Sequence, residues 1–219
     1  MTQPTHYTLE LVERCQSLVT HLWPVVEKGL PGDEQFGGML TTTFLVSLAM
    51  PIVTLPLERL EGGAKYRVAD ENALDTKVCD AFESGLGRKL KDSEFAKLDW
   101  RYITGIDAFN IADGFSKELC EKLRDGKASA AAQEETLDQI LRVLRNALAH
   151  GGIVYLDKDG WSSNESAGTV AFVRSHDPDK KKGLPRRFSI VRLREEDLLS
   201  FLHGWCDWLQ NIRMMKVGV

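Results

Sequence analysis

Cysteine is scarce in this chain, and none of it is paired by spacing. Cys15, Cys79, Cys120 and Cys206 form no C-x-x-C unit. That argues against a zinc ribbon or a disulfide framework and suits reduced thiols among apolar neighbours. Long apolar runs are also missing. The longest, Phe44 to Leu57, is interrupted by Ser47, Pro51, Thr54 and Pro56, and it falls short of the roughly 20 residues a membrane span requires. The opening residues Met1 to His6 are polar and carry no basic n-region, so no signal peptide is expected. The expectation is a soluble, cytoplasmic protein without a membrane partner. There is no repeat, no G-x-S-x-G, no paired-carboxylate motif and no nucleotide-binding fingerprint. Gly37-Gly38 and Gly62-Gly63 lack the lysine and following helix of a phosphate-binding loop. His21, six residues after Cys15, has no metal-ligand spacing. No cofactor and no metal are therefore expected.

What is present is an ordinary globular composition, 43% hydrophobic and 27% charged, consistent with a single domain over residues 1–219. A chain of this length buries roughly 70% of the surface its unfolded form exposes, so its core needs no staple. The net charge of −4 is unevenly spread. Between Gly151 and Arg194 stand nine basic residues, including Arg174, Lys181, Arg186, Arg187 and Arg192, against five acidic ones. That stretch is +4 and the remainder −8. A basic surface on an acidic body can hold a phosphate backbone, with Lys181, Arg186 and Arg187 as RNA-binding candidates. The alternative is a solvated loop whose lysines aid solubility.

The first two-thirds read as helices. Leu9, Leu11, Val12, Leu18, Val19, Leu22 and Val25 give a helical apolar spacing, with Thr8 as a start and Gly29 as a stop. A second helix begins near Met39 and must bend or break at Pro51 and Pro56. A third is expected from Asp70 to Leu90, carrying Leu74, Val78, Ala81 and Phe82 on one side. Ser93 to Asp113 is less regular, and Ser116 can cap a short helix with Leu119, Cys120 and Leu123. The most strongly patterned helix spans Gln133 to His150. Its core face is Leu137, Ile140, Leu141, Leu144, Ala147 and Leu148, and Gly151-Gly152 ends it. The period then becomes alternating. Ile153 to Leu156, Thr169 to Val173 and Phe188 to Leu193 read as three strands of an antiparallel meander, with a basic loop from Pro178 to Pro185. Glu195-Glu196-Asp197 opens a last helix whose acidic start suits the dipole. Its Leu198, Leu199, Phe201, Leu202, Trp205 and Trp208 face inward. The fold class is mainly α, a helical bundle with a small antiparallel sheet inserted before the C-terminal helix and a β excursion over 151–194.

The helix before the glycine pair holds the chemistry. Positions four apart on a helix are displaced by only about 40°, so Arg142, Asn146 and His150 form one polar stripe with Arg145 beside it. Asn146 lies one turn before His150, within reach of the imidazole to fix its tautomer. The free carbonyls of the last turn favour a protonated His150. A histidine that exchanges a proton near neutral pH, beside fixed guanidinium groups, suits phosphoryl chemistry. With 14 arginines and five histidines, the bare Arg-x4-His spacing arises readily by chance. A polar stripe is also often just a solvated face. The conjunction of Arg-Asn, a helix end and a helical host raises the signal. His176, in the stretch from Arg174 to Pro178, reads as an exposed loop histidine, and Trp205, Cys206 and Trp208 follow core spacing.

The segment Leu144-Arg145-Asn146-Ala147-Leu148-Ala149-His150-Gly151 resembles the R-N-x3-H form of the HEPN motif. HEPN proteins of bacterial and plasmid-borne defence or toxin loci share this pattern, and the helical context extends the likeness over about two-thirds of the chain. The resemblance implies a compact bundle that dimerises and places two motifs in one cleft. It implies a metal-independent endoribonuclease in which Arg145 and His150 are catalytic, Asn146 is their orienting neighbour, and the ribose 2′-hydroxyl attacks the adjacent phosphate. Arg142 is added as an RNA contact on helical geometry alone. Expected partners are RNA, a second copy of the chain and an antitoxin protein. Toxin members controlled by a nucleotidyltransferase often carry a tyrosine two residues after the histidine; Gly152 stands there, and Tyr155 lies on the expected strand. Two further readings stay open: a non-catalytic HEPN module that binds RNA, nucleotide or a protein, and a purely structural helical protein.

Overall fold

The computed structural model describes residues 7–60, 76–163, 165–177 and 186–214. Helix α1 (Tyr7–Val26) packs through Leu9, Val12, Cys15, Val19 and Val26, and Gly29 leaves it with a positive φ of 87°. Leu18, Leu22 and Val25, which share the apolar spacing, are instead exposed. Both sets keep the helical period, but α1 meets α2 and α8 along one stripe and turns the other outward.

Helix α2 (Thr41–Ala49) continues through a wider π turn over Met50–Thr54 into α3 (Leu55–Leu60). Pro51 has no N–H to donate and would crowd the preceding turn, so the π turn absorbs the defect expected there. By length and composition Thr41–Leu60 passes for a membrane span. In the fold it supplies Leu45, Ala49, Ile52, Val53, Leu57 and Leu60 to the core. Helix α4 covers Thr76–Leu86 and so ends earlier than Leu90. The expected start at Asp70, with Leu74 and the Gly62-Gly63 pair, lies outside the described residues. Beyond Gly87 the chain is tied to the start of the motif helix, with Leu90 N–H donating to the Glu135 carbonyl at 2.8 Å.

The irregular stretch contains a strand that periodicity did not show. β1 (Arg101–Asp107) pairs antiparallel with β4 (Arg187–Arg194), with a register shift between Ile103 and Ile106. Helices α5 (Lys117–Arg124), α6 (Gly126–Glu134) and α7 (Leu137–His150) follow. Each start has a side-chain cap: Ser116 accepts from Leu119 N–H, Asp125 from Lys127 N–H and Thr136 from Gln139 N–H. The motif helix therefore begins at Leu137, not Gln133, because extended Glu135 separates it from alanine-rich α6. β2 (Ile153–Leu156) and β3 (Thr169–His176) complete a four-stranded antiparallel sheet in the order β1-β4-β3-β2. The expected meander of three strands is there, and β1 extends it on the β4 side. Helix α8 (Glu195–Met214) returns to the bundle.

The sheet divides two cores. Val170, Phe172, Val191 and Leu193 face the bundle of α1, α2, α7 and α8. Ala171, Val173, Phe188 and Ile190 face Phe115, Leu119, Cys120 and Leu123 on the other side. Strands buried on both faces lose clean alternation, which is why β3 and β4 read as near-continuous apolar runs. The bundle core is aromatic-rich. Trp205 packs on Phe82, Phe201 and Trp208 while its indole N–H donates to the Ile52 carbonyl at 3.0 Å. The cysteines are free; burial pushes the Cys206 thiol up to about 12, so it is inert as a nucleophile at neutral pH.

Candidate functional site

Helix α7 owes its orientation to its apolar face. Leu137, Ile140, Leu141, Val143, Leu144, Ala147 and Leu148 are all buried, so Asp138, Arg142, Arg145 and Asn146 must lie along the less covered side. Gly151 adopts the left-handed conformation at φ 71° and ends the helix. Gly152 N–H closes back on the Ala147 carbonyl at 2.9 Å, as in a Schellman turn. Gly152 has a second, steric duty. A Cβ on it would lie 2.2 Å from the Val173 carbonyl oxygen, and its own carbonyl accepts from Val173 N–H at 2.7 Å. The missing side chain lets β3 press against the end of the motif helix.

On the polar side, Arg142 Nε donates to both oxygens of Asp138, at 2.9 and 2.8 Å. Arg145 meets Glu58 of α3, with Nη1 to Oε1 at 3.2 Å. Asn146 Nδ2 donates to the Arg142 carbonyl at 2.8 Å. The expected hydrogen bond from Asn146 to His150 is therefore not made. Helical side chains lean toward the N-terminus, which carries the amide to the carbonyl four residues back. His150 is exposed and makes no hydrogen bond among the described residues.

Burial pushes the Asp138 carboxyl up against the pull of Arg145 and Arg174, and burial draws Arg142 down with help from the same two arginines. Arg174, on β3, thus belongs to the field of this cluster. So does Glu58, as the partner of Arg145. Neither was singled out from the sequence. Glu58 precedes Arg145 by 87 positions, and no local pattern links them. Arg174 shares the parity of Val170 and Phe172, a usable signal only once β3 is known to pack on α7.

The other RNA-binding candidates stand apart from α7. Arg187 pairs with Asp107 and donates to the Gly105 carbonyl at the far end of the sheet. Arg186 beside it is exposed. Lys181 and the loop over 178–185 lie outside the described residues. His176 is on β3, not in a loop. It is half-buried and bonded to Ser189 Oγ at 2.7 Å, which in turn meets Thr104 Oγ1 at 2.7 Å. Burial and then Arg174 hold the His176 imidazole below its ordinary range. Among the described residues no three His, Cys, Asp or Glu side chains group to hold a metal ion.

No curated protein and no solved structure matches this sequence. A family model described as HEPN pEK499 p136 does match, over residues 1–215. That span takes in the bundle, the sheet and the motif on α7, and the chain belongs to the HEPN pEK499 p136 family.

Proposed function

We propose that the protein is a metal-independent endoribonuclease that cleaves RNA by 2′-hydroxyl attack, working as a cytoplasmic homodimer in a toxin–antitoxin or antiviral role. HEPN membership points in general to nuclease or RNA-related work, and the α7 site supports the sharper reading. The observation that carries it is an exposed His150, without a hydrogen bond among the described residues, on the same helix end as Arg145, which meets Glu58. A neutral imidazole takes the proton of the 2′-hydroxyl as the 2′-oxygen–phosphorus bond forms. The Arg145 guanidinium offsets charge on the non-bridging oxygens. The bond to the 5′-oxygen breaks, that oxygen takes a proton from an imidazolium, and the products carry a 2′,3′-cyclic phosphate and a 5′-hydroxyl.

Among the described residues His150 has no orienting partner, which favours a composite site in which a second copy supplies it. A monomer by sedimentation at micromolar concentration would count against that site. The same observation also suits a second reading, a non-catalytic module that binds RNA, nucleotide or a protein such as an antitoxin. Purified protein incubated in EDTA with single-stranded and structured RNA, beside His150→Ala, separates the two. Cleavage by the wild type alone, leaving cyclic phosphate ends, supports the enzyme. Equal inactivity with retained RNA binding favours the module.

A further inference from the structure

Arg174 differs from the other arginines described on the sheet. Arg187 pairs with Asp107, Arg192 with Asp99, and Arg194 with Asp99 and Glu196. Arg174 is half-buried and makes no hydrogen bond or ion pair among the described residues. Its position is nonetheless well defined. It is two residues beyond the last pairing of β3 with β2, Phe172 with Ile153, and beside Val173, which is bonded to the Gly152 turn. Parity with Val170 and Phe172 turns it to the bundle side, where its charge is felt by Asp138 and Arg142. Among the described residues, Arg174 thus adds a guanidinium with no carboxylate partner to a cluster in which Arg142 meets Asp138 and Arg145 meets Glu58.

Like charges gathered at a half-buried place repel one another unless an anion joins them, and a guanidinium does not escape by losing its proton. We infer that Arg174 is a third phosphate-holding group of the α7 site, supplied by the sheet and not by the motif helix. The inference rests on the RNA reading above for the nature of the ligand. It gives the inserted sheet a task in that reading. Arg174 faces Ser189 across the β3–β4 ladder, and the next inward pair along the strands is His176 with Arg187. A nucleic-acid backbone leaving the α7 cluster over Arg174 therefore meets Arg187 and then exposed Arg186.

The test uses the full-length His150→Ala protein, which keeps RNA intact, with a fluorescein-labelled single-stranded RNA oligonucleotide and, separately, inorganic pyrophosphate. Arg174→Gln should weaken RNA binding by about five- to twentyfold. It should also flatten the slope of log affinity against log salt by about 0.7, the effect of one phosphate contact on a single strand. Arg174→Lys, which keeps the charge, should retain the slope and lose no more than about threefold. Unchanged affinity and slope in a folded Arg174→Gln protein would overturn the inference. So would a loss in Arg174→Lys as large as in Arg174→Gln with the wild-type slope, since that marks a packing role. The cleavage assay stands separately. RNA bound through Arg174 but never cut by protein with His150 intact sinks the ribonuclease reading alone. Cleavage that ignores Arg174 sinks this inference alone, and failure to bind either RNA or pyrophosphate sinks both.

Discussion

Two arginine clusters flank the same sheet, and they are built to opposite ends. On the side of the second core, Asp99 receives Arg101 at 2.7 Å, Arg192 at 3.1 Å and Arg194 at 3.7 Å. Arg124 lies over the Trp161 ring at 4.3 Å. Arg192 is only 5% exposed, with the Gly160 turn against its guanidinium. On the bundle side, Arg142 and Arg145 also have carboxylate partners, but among the described residues Arg174 has none, and His150 is exposed. A cluster that closes on its own carboxylate and shuts out water is fastening structure. One that leaves a guanidinium unmatched and a titratable group exposed keeps its field for something from outside.

Substitutions on the two sides should therefore fail in different currencies. The largest effect is expected at the open cluster. His150→Ala or Arg145→Ala should lower RNA cleavage by about 10²- to 10⁴-fold, with the urea midpoint of His150→Ala close to wild type because His150 is exposed. A large drop in stability would make this cluster structural as well. Gly152→Ala comes next. Its Cβ would meet the Val173 carbonyl, a backbone atom that cannot swing aside, at a cost of about 3 kcal/mol in urea unfolding. It should move the end of α7 and reduce cleavage too, whereas Gly151→Ala, strained only by its positive φ, should cost about 1–2 kcal/mol. At the closed cluster Arg192→Met should cost about 2 kcal/mol, because Asp99 keeps Arg101 while losing a buried partner. RNA affinity should be unchanged; a loss of affinity without a loss of stability would erase the contrast.

The smallest effect concerns pH. Burial and Arg174 hold the folded His176 below its ordinary value of 6.5, so in the interval between the two values the unfolded chain binds more protons than the folded one. Stability is then fully present above about pH 6.5 and declines as pH falls toward the folded value. His176→Gln should flatten that decline in urea melts across pH 5–7, and Arg174→Gln should reduce it in part. An unchanged slope in both variants would show that the Arg174 field does not reach His176.

How much was legible follows from where the information sits. The face of α7 was readable because apolar residues at Leu137, Ile140, Leu141, Leu144, Ala147 and Leu148 repeat at the helical period, and all are buried. The glycine stop and the Ser116 cap were readable because their chemistry is local. Strand β1 was not. Tyr102 packs into one core and Ile103 against the other, and the irregularity between Ile103 and Ile106 further blurs its period. The outward turn of Leu18, Leu22 and Val25 was equally hidden, since an apolar helix with two stripes does not say which one its neighbours will cover.

By itself the sequence determined the helical bundle, the place of the sheet before the last helix, and the Arg145-Asn146-x3-His150 arrangement at a helix end. These depend on residues within a turn or two of one another, where spacing and geometry are the same thing. Only the tertiary structure decided that Glu58 holds Arg145 and that Arg174 joins the cluster from β3. Those relations cross tens of positions and exist because α7 is packed between the π turn of Met50–Thr54, which leads into α3, and the sheet. Gly152 is the residue in which the two kinds of information meet: readable as a helix stop, and required because β3 comes too close for any side chain.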